Sequence, residues 1–495
     1  MMKRARMSLL CSALLVALTG CGDECKDPSD CTDDKGSPAE GKRWVCESNE
    51  CVERDETAPA PGPGDGGTDG GPTDGGPTDG GDPTDGGDPG PGDGGTPDGG
   101  GMTVGKGGAC TTSMECMAGL RCEGTAGAQT CQALHVAVTS AGTAVATQVT
   151  AVRHDDTTTA PAVLSEAAAE PSRYPRWNAD GSAVAFVEGA EGVGTSRLVS
   201  RTLPFTAGQT TVLTEGAAAG TEDFPQLEWW PSTSLVWTKR AGASTSGLWT
   251  VPGAGGTATE LTGNGVFPSW ARNGTSLAYS TRAAGLLALA SAGAQSVAIA
   301  GGAGGEQPFH NQANDWVLYA KENGTDDVLG PLYEIFTISP TGGTIHPIAN
   351  KTSEPTSGGS VDSFIANPTW APDGTWVAYV RTYFSKPSDG SASALCGTAA
   401  ATQCPGRDAN VIFLRKINPE TGAGDGTEVQ FVTGGTLPSF SPDGRFIAYV
   451  RARRLQIQQI NPADGTAVGA VVTHGLGTDV QTNRGDDNRP RWQPR

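Results

Sequence analysis

From Leu134 to Arg495 the chain alternates short apolar runs with clusters of turn residues, and one local pattern keeps returning. AVAFV at 183–187, WVAYV at 376–380 and FIAYV at 446–450 are apolar at consecutive positions. A strand with one wet face would alternate, so such runs predict strands covered on both faces. Each run is preceded by a proline and a turn. Copies begin at Pro175 (YPRWNADGSAVAFV), Pro225 (FPQLEWWPSTSLVWT), Pro268 (FPSWARNGTSLAYS), Pro308 (QPFHNQANDWVLYA), Pro368 (NPTWAPDGTWVAYV) and Pro438 (LPSFSPDGRFIAYV). A seventh, at Pro490 (RPRWQPR), meets the C-terminus.

The turns have a clear chemistry. In SPDG, Pro442 presets the backbone of a tight turn, Asp443 bonds back to the backbone and Gly444 accepts the left-handed conformation. Two further strands follow each copy: in the third, GLLALAS and QSVAIAG come after TSLAYS. Four strands per unit, repeating every 40 to 70 residues, predict an all-β propeller of four-stranded blades. The stretch 134–174 supplies strands without a motif, and Pro490 supplies a motif without strands. Joining the termini completes one blade and removes the exposed edges, which favours seven blades over six.

These repeats resemble the TolB-type β-propeller family, whose hallmark is a proline, any residue, Trp-Ser-Pro-Asp-Gly and an IAF-like strand. The match spans roughly 134–495 and is weakest in the second and fourth copies, which lack the Asp-Gly turn. The resemblance implies protein interaction in a cell envelope. The additional α/β domain of TolB itself is replaced here by cysteine modules and a linker.

The N-terminus carries Lys3, Arg4 and Arg6 ahead of an apolar run too short to span a bilayer comfortably, and ends in LTGC. It resembles a bacterial lipoprotein signal (1–20) with Cys21 as the lipidated residue. The remaining cysteines fall in even groups, as disulfides require: Cys25, Cys31, Cys46 and Cys51; Cys110, Cys116, Cys122 and Cys131; Cys396 and Cys404. Pairing within each group of four is open. The first two groups mark small modules at 21–58 and 106–133, neither able to bury a core without cystines. CTTSMECMAGLRCEGTAGAQTC resembles a Dickkopf N-terminal cysteine-rich module. Zinc would favour closer cysteine pairs. Between the modules, 59–105 is mostly Gly, Pro, Asp and Thr, with no apolar side chain across 61–101. A disordered linker follows, of root-mean-square span about 40 Å. A calcium array there lacks the alternating oxygens and closing Glu of calcium loops.

The net charge of −20, with no basic stripe, excludes nucleic acid as a partner. GGMTVGKGG has the spacing of a phosphate loop, but Gly107 stands where Ser or Thr holds magnesium. There is no Gly-x-Ser-x-Gly elbow, no His-Glu-x-x-His pair, and the five histidines are far apart. Glu170, Glu222, Asp223, Glu306, Asp362, Asp486 and Asp487 precede the repeat motifs and are candidates for an acidic ring at the channel mouth. Insertions after the second strand of the fourth and fifth copies, and before the fifth and seventh motifs, build up the face opposite the Asp-Gly turns. The expectation is a monomeric, lipid-anchored, non-catalytic envelope protein without a cofactor. It faces the periplasm or the cell exterior from the outer membrane and binds an envelope protein, peptidoglycan or polysaccharide. The rival is a carbohydrate-active lyase or hydrolase at the channel mouth.

Overall fold

The computed structural model describes residues 42–47, 50–55 and 104–495, apart from 143–145, 166–169, 190–195, 206–209, 216–225, 230–232, 242–244, 272–273, 275, 282, 291–293, 312 and 483–487. The signal, Cys21, Cys25, Cys31, most of the linker, Glu222, Asp223, Asp486 and Asp487 lie outside the described residues. The chain divides into Met1–Gly94 and Gly95–Arg495. In the first unit Lys42–Glu47 and Glu50–Asp55 form an antiparallel hairpin whose register sets Cys46 opposite Cys51.

The second unit is a seven-bladed propeller. Innermost strands are Ser172–Trp177 (blade 1), Glu228–Trp229 (blade 2), Val266–Trp270 (blade 3), Gly305–His310 (blade 4), Gly359–Trp370 (blade 5), Gly435–Phe440 (blade 6) and Arg491–Trp492 (blade 7). Blades 1 to 6 run outward in sequence order. In blade 7 the C-terminal strand pairs with His135–Ala141, which continues to Thr147–Arg153 and Ala162–Val163. The termini therefore close the circle, as the repeats predict. Among the described residues no helix is long and apolar enough to cross a membrane.

The consecutive apolar runs are second strands, and both their faces are covered because each blade packs on two others. Phe186, Tyr279, Tyr379 and Tyr449 are almost fully buried. The core is correspondingly a circle of blade–blade clusters. Leu134, Val136 and Trp492 of blade 7 pack on Leu437, Val450 and Ile457 of blade 6, while Ala137, Val149 and Ala151 pack on Trp177, Val184 and Phe186 of blade 1.

Each motif proline has a structural consequence. Lacking an N–H, it cannot continue the ladder, and the register slips around it at Arg173/Arg176, Val266/Ser269, Glu306/Phe309, Ala366/Thr369 and Thr436/Ser439. The residue before it is left-handed although not glycine: Tyr174, Phe267, Gln307, Asn367 and Leu437 have φ between 49° and 62°. In blade 2 the left-handed residue is Gln226 (φ 60°), and Glu228–Trp229 pairs with the next strand as Ser269–Trp270 does. The second repeat is thus corrected: its motif is Leu227-Glu228-Trp229, two residues beyond Pro225, with leucine in the proline position.

The module at 106–133 contains disulfides Cys110–Cys122 and Cys116–Cys131. Its core is those cystines with Leu120, Ala133 and Val104, as expected for a module too small to bury much else. It does not stand apart: the strand Thr130–Ala133 leads directly into His135–Ala141, and the module packs on the turn face of the propeller.

Candidate functional site

Two features depart from the regular ring, the axial channel and a raised face.

The channel is lined by the residue that follows each motif proline. Arg176, Glu228, Ser269, Phe309, Thr369, Ser439 and Arg491, one per blade, border two adjoining cavities, the larger about 260 Å³. The next residue packs between blades. Where it is tryptophan, its indole N–H typically reaches back to the preceding inner strand: Trp177 donates to the carbonyl of Arg491 (3.0 Å), Trp229 to Arg176 (3.1 Å), Trp370 to Phe309 (3.0 Å) and Trp492 to Ser439 (3.0 Å). A recurring sequence feature thereby becomes a recurring bond between blades. Blade 4 breaks it with His310, which is 5% exposed, lines both cavities and has no partner for Nδ1. Burial pushes its pKa down to about 4, so the ring is neutral near pH 7. Glu228 sits between charged neighbours: the depth of the channel raises its pKa, and the guanidinium groups of Arg176 and Arg491 oppose the rise. No repeat-motif signal pointed to these groups, although the position between proline and aromatic is visibly the variable one in every copy.

The acidic candidates that are described lie elsewhere. Glu170 is exposed ahead of blade 1; Glu306, in the inner strand of blade 4, accepts from the Tyr333 hydroxyl (3.3 Å); Asp362 accepts from Ser353 (2.6 Å). None of the three borders the axial cavities.

The raised face grows from blades 4 and 5, at the strand ends opposite the Asp-Gly turns. In blade 4, Val317–Asp326 and Gly330–Ile338 extend well beyond the ring as a hairpin. In blade 5, Gly359–Trp370 and Trp376–Pro387 do the same, flanked by Ser353–Thr356 and Ala394–Leu395. The disulfide Cys396–Cys404 folds the following loop onto this arm, with Val361, Ala401 and Tyr383 as a small core. Arg407 lies over the Tyr383 ring at 4.7 Å and pairs with Glu354 at 3.0 Å. The arms are joined at their ends, where Ser393 donates to the Asp326 carboxylate (2.8 Å), which also accepts the amides of Val328 and Leu329. At the root of the blade 5 arm, Nη2 of buried Arg381 donates to both carboxylate oxygens of Glu428 (2.7 and 2.8 Å) and Nη1 donates to the carbonyl of Asn350 (2.7 Å). Val328 and Leu395 are exposed on this face at 54% and 37%.

Fold and site define a seven-bladed propeller with one raised face and a small cystine-rich module on the other. No family model and no curated relative matches the chain. Similar solved structures include TolB from Acinetobacter baumannii (12% identity, covering 73% of this chain and 67% of that one, TM-score 0.36). A periplasmic gluconolactonase from Pseudomonas aeruginosa is 13% identical over 73% of this chain and 99% of its own, TM-score 0.47. An oligogalacturonate lyase in complex with manganese is 16% identical over 60% and 77%, TM-score 0.40. At these values the likenesses carry no argument about activity.

Proposed function

We propose that this is a lipid-anchored protein of the bacterial cell envelope, held through Cys21 in the outer membrane, whose propeller binds an envelope protein or wall polymer without catalysis and without a cofactor. The observation that supports it most is the composite arm of blades 4 and 5. Exposed loops lose conformational freedom on binding, and a loop already folded by a disulfide, a small core and inter-arm hydrogen bonds loses less. Val104, the first described residue of the second unit, belongs to the module on the turn face, opposite the arms. Crosslinking in intact cells tests the reading: the wild-type protein should capture defined envelope components, and shortening both arms to tight turns should abolish capture while the ring stays folded. Equal capture by the shortened protein would overturn it.

A second reading, a carbohydrate-active lyase or hydrolase, draws support from His310 and Glu228 facing the axial cavities. It predicts turnover of an envelope polysaccharide that is lost in His310→Ala and Glu228→Gln.

A further inference from the structure

Among the described residues, ring closure in blade 7 rests on short pairings with His135–Ala141: Arg491 with Ala137 and Trp492 with Val136, and a bridge from Val480 to Ser140 flanked by Ala141 N–H to Asp479 (2.7 Å) and Gln481 N–H to Thr139 (2.9 Å). Beyond Trp492 one more backbone bond, from the Gln493 N–H to the carbonyl of His135 (2.9 Å), continues the pairing before the chain runs into the cystine module. Arg121 of the module donates to the carbonyl of Pro494 (2.5 Å), and Arg495 donates to the carbonyls of Ser113 (2.9 Å) and Cys116 (2.8 Å). Gln493 is fully buried between the two parts. Its amide nitrogen donates to Glu123 (2.8 Å) and to the carbonyl of Gly181 (2.8 Å), while its oxygen accepts from the backbone N–H of His135 (3.1 Å).

The module also grips the blades on either side of the closure. The Gly119 amide donates to the carboxylate of Asp443 in blade 6, and Arg121 donates to the carbonyl of Asp180 in blade 1 (2.9 Å). Within blade 7 itself, Arg153 pairs with Glu123 (2.6 Å) and donates to the carbonyl of Ala133. The approach is close enough to require glycine on both sides. A Cβ on Gly181 would meet the Arg121 guanidinium at 1.9 Å, and Gly119, left-handed at φ 77°, faces Phe446 and His154 at 3.0 and 3.1 Å.

The contacts from Ser113, Cys116, Gly119, Arg121 and Glu123 all depend on a fold whose core is two cystines. We propose that the module is a redox-dependent clasp: with Cys110–Cys122 and Cys116–Cys131 formed it holds the C-terminal strand in the ring, and with them reduced the circle opens at blade 7. Reduction by a small dithiol breaks each S–S bond with two electrons and two protons, leaving two thiols while the dithiol becomes a disulfide. A module of this size loses its shape without its cross-links, and the partners of Gln493, Pro494 and Arg495 go with it. Closure would then be complete only where disulfides persist, outside a reducing cytosol. Because linkage is reciprocal, undocking the C-terminus must in turn make the module easier to reduce.

Hydrogen exchange on the full chain tests both directions. In a variant with all four module cysteines changed to serine, or in protein whose four module thiols are verified by alkylation and mass, amides in His135–Ala141 and Arg491–Trp492 should exchange about tenfold faster or more, equivalent to losing one or two of these bonds. Amides of the blade 4 hairpin should not change, nor should those of the closing strands change in a Cys396→Ser/Cys404→Ser control. Wild-type protection of the closing strands with the module reduced would overturn the proposal. Should the serine variant not fold, a chain ending at Gln493 gives the reciprocal measurement: at equilibrium with dithiothreitol, its two module disulfides should be half-reduced at about a tenfold lower ratio of reduced to oxidised dithiothreitol than in the full chain, with Cys396–Cys404 unaffected. Equal midpoints would equally overturn it.

Discussion

Replacing His310 by phenylalanine should flatten the acid limb of this protein's stability. His310 occupies the position where other blades carry an indole, and blade 6 already places Phe440 there, so an aromatic without a polar handle suits the site. Burial alone depresses its pKa, from 6.5 to about 4. The sign follows from proton counting. Between those values the unfolded chain binds a proton that the folded ring cannot, so stability is fully present above about pH 6.5 and is lost as the pH falls toward 4. At 1.36 kcal/mol per pH unit, the loss from this one side chain is about 3 kcal/mol over the whole window, most of it reached by pH 4.5.

Urea denaturation followed by tryptophan fluorescence at pH 7.5 and 4.5 reads the difference directly. The wild-type should lose about 2.5 kcal/mol more between the two conditions than His310→Phe does, whatever the variant's own offset at pH 7.5. His135, held down to about 4 by burial and by Arg153, supplies an acid response common to both proteins, so the comparison isolates position 310. Identical pH dependence in the two proteins would refute the reasoning, because it would mean that the imidazole reaches solvent or a carboxylate in the folded state.

Trp492→Phe keeps the ring but removes the N–H donated to Ser439, and should lower stability by about 1 kcal/mol, read as a shift in the urea midpoint at pH 7.5. Cys396→Ser/Cys404→Ser removes a short closed loop and should destabilise the arm by about 2 kcal/mol, seen as protease cleavage within 388–409 while the ring's thermal midpoint hardly moves. Arg381→Met leaves Glu428 without its guanidinium partner at the root of the same arm, and should cost about 3 kcal/mol by denaturation at neutral pH.

The architecture was legible because it is written many times. Apolar runs such as 446–450 and Asp-Gly turns such as 443–444 recur, and one copy corroborates another, so the four-stranded blades followed from spacing, and the unmatched strands at 134–174 with the cut-off motif at Pro490 favoured seven blades, closed by the termini, over six. Blade 2 shows the limit: with leucine in place of proline, the eye settles on Pro225, whereas the backbone puts Gln226 in the left-handed position. Contacts that occur once had no such redundancy. Gln493 lies more than 350 residues from Glu123 and His135, and nothing in QPR or LRCE announces that they meet. The channel was hidden for a different reason. Its lining residue is the variable one of each motif, so attention to what repeats passes over it.

The division between repeated and singular residues also organises the chemistry. Positions that recur, the second-strand aromatics and the indoles, hold blade to blade, and the Asp443 turn shows how little must change for a structural element to gain a second task. One oxygen of its carboxylate accepts from Ser441 and from the Arg445 amide to fix the turn, while the other accepts the Gly119 amide of the module. The turn face is thus where the chain binds itself. On the proposed reading, what it offers to other molecules is concentrated at the opposite strand ends, where two neighbouring blades extend and are cross-braced by Ser393 and Asp326. Bracing of this kind adds nothing to ring closure, since both arms project beyond the blade–blade clusters. Its physical effect is to fix one surface in advance of contact, as a binding face requires.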